Sequence, residues 1–240
     1  MAEPLASYKD LCLDAADPVR LGTFYAAALG LRLERLDDGD VVLRGDTPEH
    51  TVWVNRVPEP KTVWHRLHLD VNVAAVDDLL ALGASVVDDT QPWTVLRDPE
   101  GGELCAFVRA PEVLAAGGGR GRPLYELVLQ VGAGDDGAAA AAGIAHGWAG
   151  LVGGRVEQDP DEGYSWVEGI PGAPFENLVI TWTDEPKTVK NRVHLDVTCR
   201  SVDDLVAYGA RVLAPGGAPG APSWTVLADP AGNELCAFPG

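Results

Sequence analysis

Residues 92–107 read PWTVLRDPEGGELCAF and residues 223–238 read SWTVLADPAGNELCAF; twelve of the sixteen positions agree, at an offset of 131. Upstream, EPKTVWHRLHLDV (59–71) returns as EPKTVKNRVHLDV (185–197), with ten of thirteen positions shared at an offset of 126. Between these blocks, VDDLLALGASVV (76–87) pairs with VDDLVAYGARVL (202–213), again at 126. Three blocks recurring in one order mark an internal duplication. The stretch RAPEVLAAGGGRGRP (109–123) separates the copies, and its Gly run and two prolines suit a flexible linker. The expected organisation is a first domain at 5–110, a linker at 111–122 and a second domain at 123–240.

Each half divides again. Leu11–Leu13 reads as a short strand. Asp17-Pro18 then starts a helix, with a carboxylate at the N-cap and Pro in the first turn. Leu21, Phe24, Tyr25, Ala28 and Leu29 recur at helical spacing, and Gly30 ends the run. Strands are expected at 31–36, 41–44 and 51–57, with Asp38-Gly39 as a hairpin signal. The order β-α-β-β-β then repeats: strand 66–73, helix 75–82, and strands 85–87, 94–97 and 103–108. The Asp98-Pro99-Glu100-Gly101-Gly102 turn joins the last two strands. The second half follows the same plan. Its first helix falls in GDDGAAAAAGIAHGWAG (134–150), where alanines favour helix and glycines oppose it, and where Ile144 and Trp148 mark the face that packs on the sheet.

The 240 residues include 46% apolar ones, enough to bury a sizeable core. The net charge of -18 repels phosphate backbones and anionic bilayers, so neither nucleic acid nor a membrane is expected as a partner. No stretch reads as a membrane span or an apolar signal segment, and Cys12, Cys105, Cys199 and Cys236 lack C-x-x-C spacing. Reduced thiols in a cytoplasmic protein are the expectation. Phosphate-loop and nucleophile-elbow motifs are absent. The pairs Asp77-Asp78 and Asp203-Asp204 sit in first turns of helices, where they complement the helix dipole.

The repeated β-α-β-β-β unit and the D-P-x-G-[NG] turn before its last strand resemble the vicinal oxygen chelate superfamily, which includes glyoxalase I, bleomycin-resistance proteins and extradiol dioxygenases. The blocks V-P-E-P-K-T…R-L-H-L-D-V and D-P-E-G-G-E-L-C resemble its bacterial glyoxalase-like domains. The resemblance implies an α+β fold: four βαβββ modules forming two tandem glyoxalase-like domains with cup-shaped mixed sheets. It also implies that active members hold one metal, through ligands on the first and last strands of each module, usually His and Glu. The positions this indicates are Asp10, Asn55, His68 and Cys105 in the first half, and Glu126, Thr181, His194 and Cys236 in the second. Only the histidines and Glu126 keep the family's ligand types. No cofactor is therefore expected, with a divalent metal at Asp10, His68, Glu126 or His194 as the alternative. The Asp/Asn/His/Cys set is chemically able to hold zinc.

Strand alternation sorts the remaining candidates. In Arg66-Leu67-His68-Leu69-Asp70-Val71 the leucines and Val71 pack beneath helices, while Arg66, His68 and Asp70 are expected to point into the cup. Arg192, His194 and Asp196 match them. Glu103, Cys105 and Phe107 share a face, as do Glu234, Cys236 and Phe238. The charged members equally suit a self-satisfied polar network. The cysteines read as small buried hydrophobes or as nucleophiles beside His68 and His194. Trp93 and Trp224 occupy equivalent places and suit either a ligand pocket or the core.

Three functions are open at this level. The first is a small-molecule-binding protein that lacks the usual family metal. The others are a metal-dependent lyase, isomerase or dioxygenase, and a metal-free acid-base enzyme using His68 or His194. The partner is expected to be a small organic molecule. The tandem chain is expected to be a monomer acting as an internal pseudo-dimer, or a homodimer.

Overall fold

The computed structural model describes residues 3–118, 121–220 and 222–240. Gly119 and Arg120 of the expected linker lie outside the described residues, as do Met1 and Ala2.

Four βαβββ modules follow in order. The first is β1 (Ala6–Ala15), α1 (Pro18–Leu29), β2 (Arg32–Arg35), β3 (Val41–Arg44) and β4 (Thr51–Arg56). The second is β5 (Leu67–Val73), α2 (Val76–Ala81), β6 (Ser85–Asp88), β7 (Thr94–Arg97) and β8 (Glu103–Val108). A short α3 (Pro111–Ala115) occupies the start of the expected linker. The third is β9 (Leu124–Gly132), α4 (Gly137–Val152), β10 (Arg155–Gln158), β11 (Ser165–Glu168) and β12 (Asn177–Thr183). The fourth is β13 (Val193–Cys199), α5 (Val202–Ala207), β14 (Arg211–Ala214), β15 (Thr225–Ala228) and β16 (Glu234–Pro239).

The helix signals act as the sequence suggests. Asp17 accepts from Arg20 N at 3.1 Å and Gly30 takes a left-handed φ of 67°. On α4, Asp136 accepts from Ala139 N at 3.1 Å, and the buried Ala141, Ala145 and Trp148 overcome the glycines by packing against the sheet.

Sheet pairing departs from the simple tandem picture. One eight-stranded sheet runs β14-β15-β16-β13-β1-β4-β3-β2, and the other runs β10-β11-β12-β9-β5-β8-β7-β6. The first sheet therefore joins modules one and four, and the second joins modules two and three. The seams are antiparallel: β1 on β13, and β5 on β9. Within each module the first and last strands are parallel neighbours. Each cup is thus shared between the halves, which corrects the expected grouping of site residues by half.

Helix α1 packs on the strands of module one and α4 on those of module three. The core lies beneath them, with Leu11, Leu13, Leu43, Leu195 and Leu235 on one sheet, and Leu69, Leu104, Leu127, Leu129 and Leu178 on the other. Alternation sends the intervening residues to the opposite face, and there the polar side chains collect.

The two sheets are tied through the Asp-Pro turns. Asp98 accepts from Glu100 N and Gly102 N, both at 2.8 Å, and from the Tyr25 hydroxyl of α1 at 3.1 Å. In the other half, Asp229 accepts from Asn233 N at 2.9 Å and from Trp148 Nε1 of α4 at 3.3 Å. The turn that carries the family resemblance thus holds structure together: each helix on one sheet is pinned to a turn of the other.

Candidate functional site

Each sheet carries the same three side chains side by side. On β5 and β8, His68 Nε2 lies 3.3 Å from Asp70 Oδ1 and 3.7 Å from Cys105 Sγ. On β13 and β16, His194 Nε2 lies 3.6 Å from Asp196 Oδ1 and 3.2 Å from Cys236 Sγ. Within each triplet the donor atoms all fall within 4.8 Å of one another. The local cause is simple. His-x-Asp puts two side chains on one face of a strand, and parallel pairing sets Asp70 beside Cys105 and Asp196 beside Cys236.

The seams bring a further acid to each triplet. Asp10 on β1 is in register with Asp196, and Glu126 on β9 is in register with Asp70. Asp10 Oδ2 accepts from Lys9 Nζ at 2.5 Å and from Trp53 Nε1 at 3.0 Å. Glu126 Oε1 accepts from Asn177 Nδ2 at 2.6 Å. The seam joins the halves, so Asp10 belongs with His194, not His68, and Glu126 belongs with His68.

Burial sets the electrostatics. His194 is held down to about 3, chiefly by desolvation and then by the nearby Lys190 charge. Burial also raises both thiols, Cys105 and Cys236, and the neighbouring Asp70 and Asp196 push the same way. Asp196 is raised by burial and then by facing Asp10, while burial lifts Glu126 to about 7. Among the described residues, four carboxylate oxygens, Asp10 Oδ1, Asp70 Oδ1, Glu176 Oε2 and Asp196 Oδ1, are buried without a hydrogen-bond donor.

Other expected site residues have different tasks. Arg66 and Arg192 do not point into the cups. Arg66 donates to the Glu185 carbonyl, and Arg192 donates to the Glu59 carbonyl at 2.7 Å, so each reaches a loop of the opposite half. Both stand just before β5 and β13, where the strand alternation no longer governs direction. Glu103 and Glu234 strap the EPKTV loops down. Glu103 accepts from Lys61 Nζ at 2.7 Å and His65 N at 2.9 Å; Glu234 accepts from Lys187 Nζ at 2.8 Å and Asn191 N at 3.1 Å. Asn55 donates to Cys12 Sγ at 2.9 Å, and Thr181 lies in register with Gln130. Trp93 and Trp224 stack on Phe107 and Phe238, with centroids 5.7 and 5.5 Å apart.

Sequence reasoning missed several neighbours. Cys12 is in register with His194, and Lys190 pairs with Asp14 at 2.7 Å. The alternation Asp10, Cys12, Asp14 was a signal for this face. Tyr125 and Lys9 had none: each sits at a strand irregularity, and their side chains lie against Phe107 and Phe238. A cavity of about 340 Å3 lies between the two EPKTV loops, bordered by Asp14, Trp64 and Lys190 and outside both triplets.

Comparisons with known proteins agree with this architecture. A family model described as a glyoxalase-like domain matches residues 10–107 and 133–238. Glyoxalase I from Zea mays is similar in structure at 15% identity, with a TM-score of 0.63 over 98% of this chain and 92% of that one. A putative dioxygenase from Bacillus subtilis subsp. subtilis str. 168 gives 14% identity and a TM-score of 0.57, over 100% of this chain and 87% of its own. The cppA protein from Streptococcus pneumoniae TIGR4 gives 13% and 0.52, over 99% and 100%. At such identities the likeness concerns the fold. No curated protein matches the chain in sequence. Among the described residues, no helix is long and apolar enough to cross a membrane. With the family model matching both halves over this duplicated architecture, the chain belongs to the glyoxalase-like domain family.

Proposed function

We propose that the protein binds a small organic molecule on the polar faces of its sheets, beside a divalent metal held by the His-x-Asp and Cys triplets. The carrying observation is that Asp70 Oδ1 and Asp196 Oδ1 are buried, lack hydrogen-bond partners and lie within 3.6 Å of a histidine nitrogen. A buried carboxylate oxygen without a donor is costly unless a cation or a proton meets it, and the histidine and cysteine beside each of these oxygens favour a cation.

Donor spacing supports zinc. Tetrahedral bonds of about 2.0–2.3 Å place neighbouring ligand atoms about 3.3–3.8 Å apart. The contacts to the two histidine nitrogens span 3.2–3.7 Å. Imidazole, thiolate and carboxylate together suit this borderline ion better than magnesium or calcium. A bound ion would supply Lewis acidity toward an oxygen of the ligand. His68, Asp70 and Cys105 would hold one ion, and His194, Asp196 and Cys236 another. On the second sheet, the Trp93, Phe107 and Tyr125 rings offer an apolar wall for an organic ligand. His194, held at about 3, is a poor base at neutral pH, which weighs against metal-free acid-base chemistry at that sheet.

The test is metal analysis of protein purified without chelators. About two equivalents of zinc are expected, one for each triplet, and the Cys105→Ser/Cys236→Ser double variant should lose them. Negligible metal, with no uptake of added zinc, manganese, nickel or iron, would leave a metal-free binding protein. That alternative is scored by thermal shift against a metabolite panel.

A further inference from the structure

We infer that the cavity between the two EPKTV loops is a second ligand site, separate from the triplets, and that it takes a small organic acid with an apolar body. None of the six triplet residues borders this cavity, so the inference stands with or without a metal at the proposed centres.

The repeat singles the cavity out. The blocks 59–71 and 185–197 differ at three positions, and all six residues concerned border it: Trp64, His65 and Leu67 on one loop, Lys190, Asn191 and Val193 on the other. Identical loops would enclose a space with two matching sides. These substitutions give it an aromatic side at Trp64 and a polar side at Lys190 and Asn191. Its volume of about 340 Å3 suits a small molecule.

Apolar surface waits there for a cover. Val63, Trp64 and Val189 are 40%, 46% and 43% exposed, and all three border the cavity. Arg97 stands 5.6 Å from the Trp64 ring centroid, yet nearly half of that residue stays open to solvent. An apolar body lying on these side chains would take them out of water, with a gain that grows with the area covered.

Charge points to an acid. The chain as a whole has 36 acidic residues against 18 lysines and arginines. The cavity reverses that ratio, with Lys61, Arg66, Lys190 and Arg192 against Asp14 and Glu59. The lysines are committed: Lys61 holds Glu103 and Lys190 holds Asp14, both at 2.7 Å. The arginines are less so. Arg66 and Arg192 each donate to a backbone carbonyl, which cancels no charge, and Glu100 lies 3.6 Å from Arg192. A guanidinium has five N–H donors, so both keep donors for a carboxylate. On a molecule of net charge -18, this is a place where an anion meets attraction.

The experiment is calorimetric titration of the full chain after chelator treatment and dialysis, so that no metal can draw a carboxylate to the triplets. Phenylacetate should bind once per chain. Acetate, which lacks the ring, and 2-phenylethanol, which lacks the charge, should bind about tenfold or more weaker. Trp64→Ala and Arg192→Gln should each weaken phenylacetate by about tenfold. Trp64 is an exposed loop residue, so its variant should fold, as circular dichroism will show; if Arg192→Gln does not, the Trp64 variant and the three compounds decide. No phenylacetate binding up to about 10 mM, wild-type affinity in Trp64→Ala, or equal affinity for all three compounds would overturn the inference. So would binding that appears only in zinc-loaded protein, which would place the acid at the triplets and leave the metal reading standing. Saturable binding to the stripped protein that Trp64→Ala weakens supports the site whatever the metal analysis gives.

Discussion

Asp98 shows how a single carboxyl serves the fold. Its Oδ1 collects two turn N–H groups and its Oδ2 receives Tyr25. Burial nevertheless raises its pKa above the ordinary 3.8, with those hydrogen bonds opposing the shift. The unfolded chain thus loses this proton at lower pH than the folded one. Through the window that starts near pH 4 and extends to the raised value, stability falls as the pH rises. Asp98→Asn keeps an acceptor for the turn and removes the titration. Urea unfolding between pH 4 and 7 should then show a flatter profile for the variant than for the parent; identical slopes would exclude the assignment. A nearby pair explains a difference between the copies. A Cβ at Gly102 would lie 2.6 Å from His65 Cε1, so the imidazole fills the room that Asn233 uses in the other half. There Asn191 replaces His65 and donates to Asn233 Oδ1 at 2.9 Å.

Among the elements, β8 and β16 act as anchors as well as walls. Their first residues, Glu103 and Glu234, are buried and each holds a lysine and a backbone N–H of the preceding EPKTV loop. The alternation along Glu103-Leu104-Cys105 was legible in sequence, and it correctly put Glu103 and Cys105 on one face. It could not tell a ligand-facing acid from a loop-facing one, since both obey the same period of two. Removing such an acid leaves a half-buried ammonium and an amide without partners. Glu103→Ala and Glu234→Ala should each cost about 2–4 kcal/mol in urea unfolding. A change under about 0.5 kcal/mol, the level of ordinary surface sites, would contradict the strap.

The whole molecule behaves as a dimer folded into one chain. The inner strands β1 and β5 of the first half find their seam partners, β13 and β9, only in the second half. An isolated first half would expose both seams, each a row of unpaired backbone groups beside a polar face. Residues 3–118 alone should therefore run as a dimer, with β1 of one copy on β5 of the other, or remain unfolded. Light scattering together with circular dichroism distinguishes these from a folded monomer, which would refute the shared-sheet account. The seam also mixes the halves around each triplet: Asp10 from one half faces Asp196 from the other.

What the amino-acid sequence determined by itself was the local order. The repeats, the helix caps at Asp17 and Gly30, the turn at Asp98-Pro99 and the face shared by His68 and Asp70 all follow from short-range sterics and a period of two. Tertiary structure alone decided which modules share a sheet, because β1 and β5 each offer an edge that alternation leaves unassigned. That choice put Asp10 with His194 and Glu126 with His68. It also brought Arg66 and Arg192 to loops of the opposite half, where each donates to a backbone carbonyl that only the folded arrangement supplies.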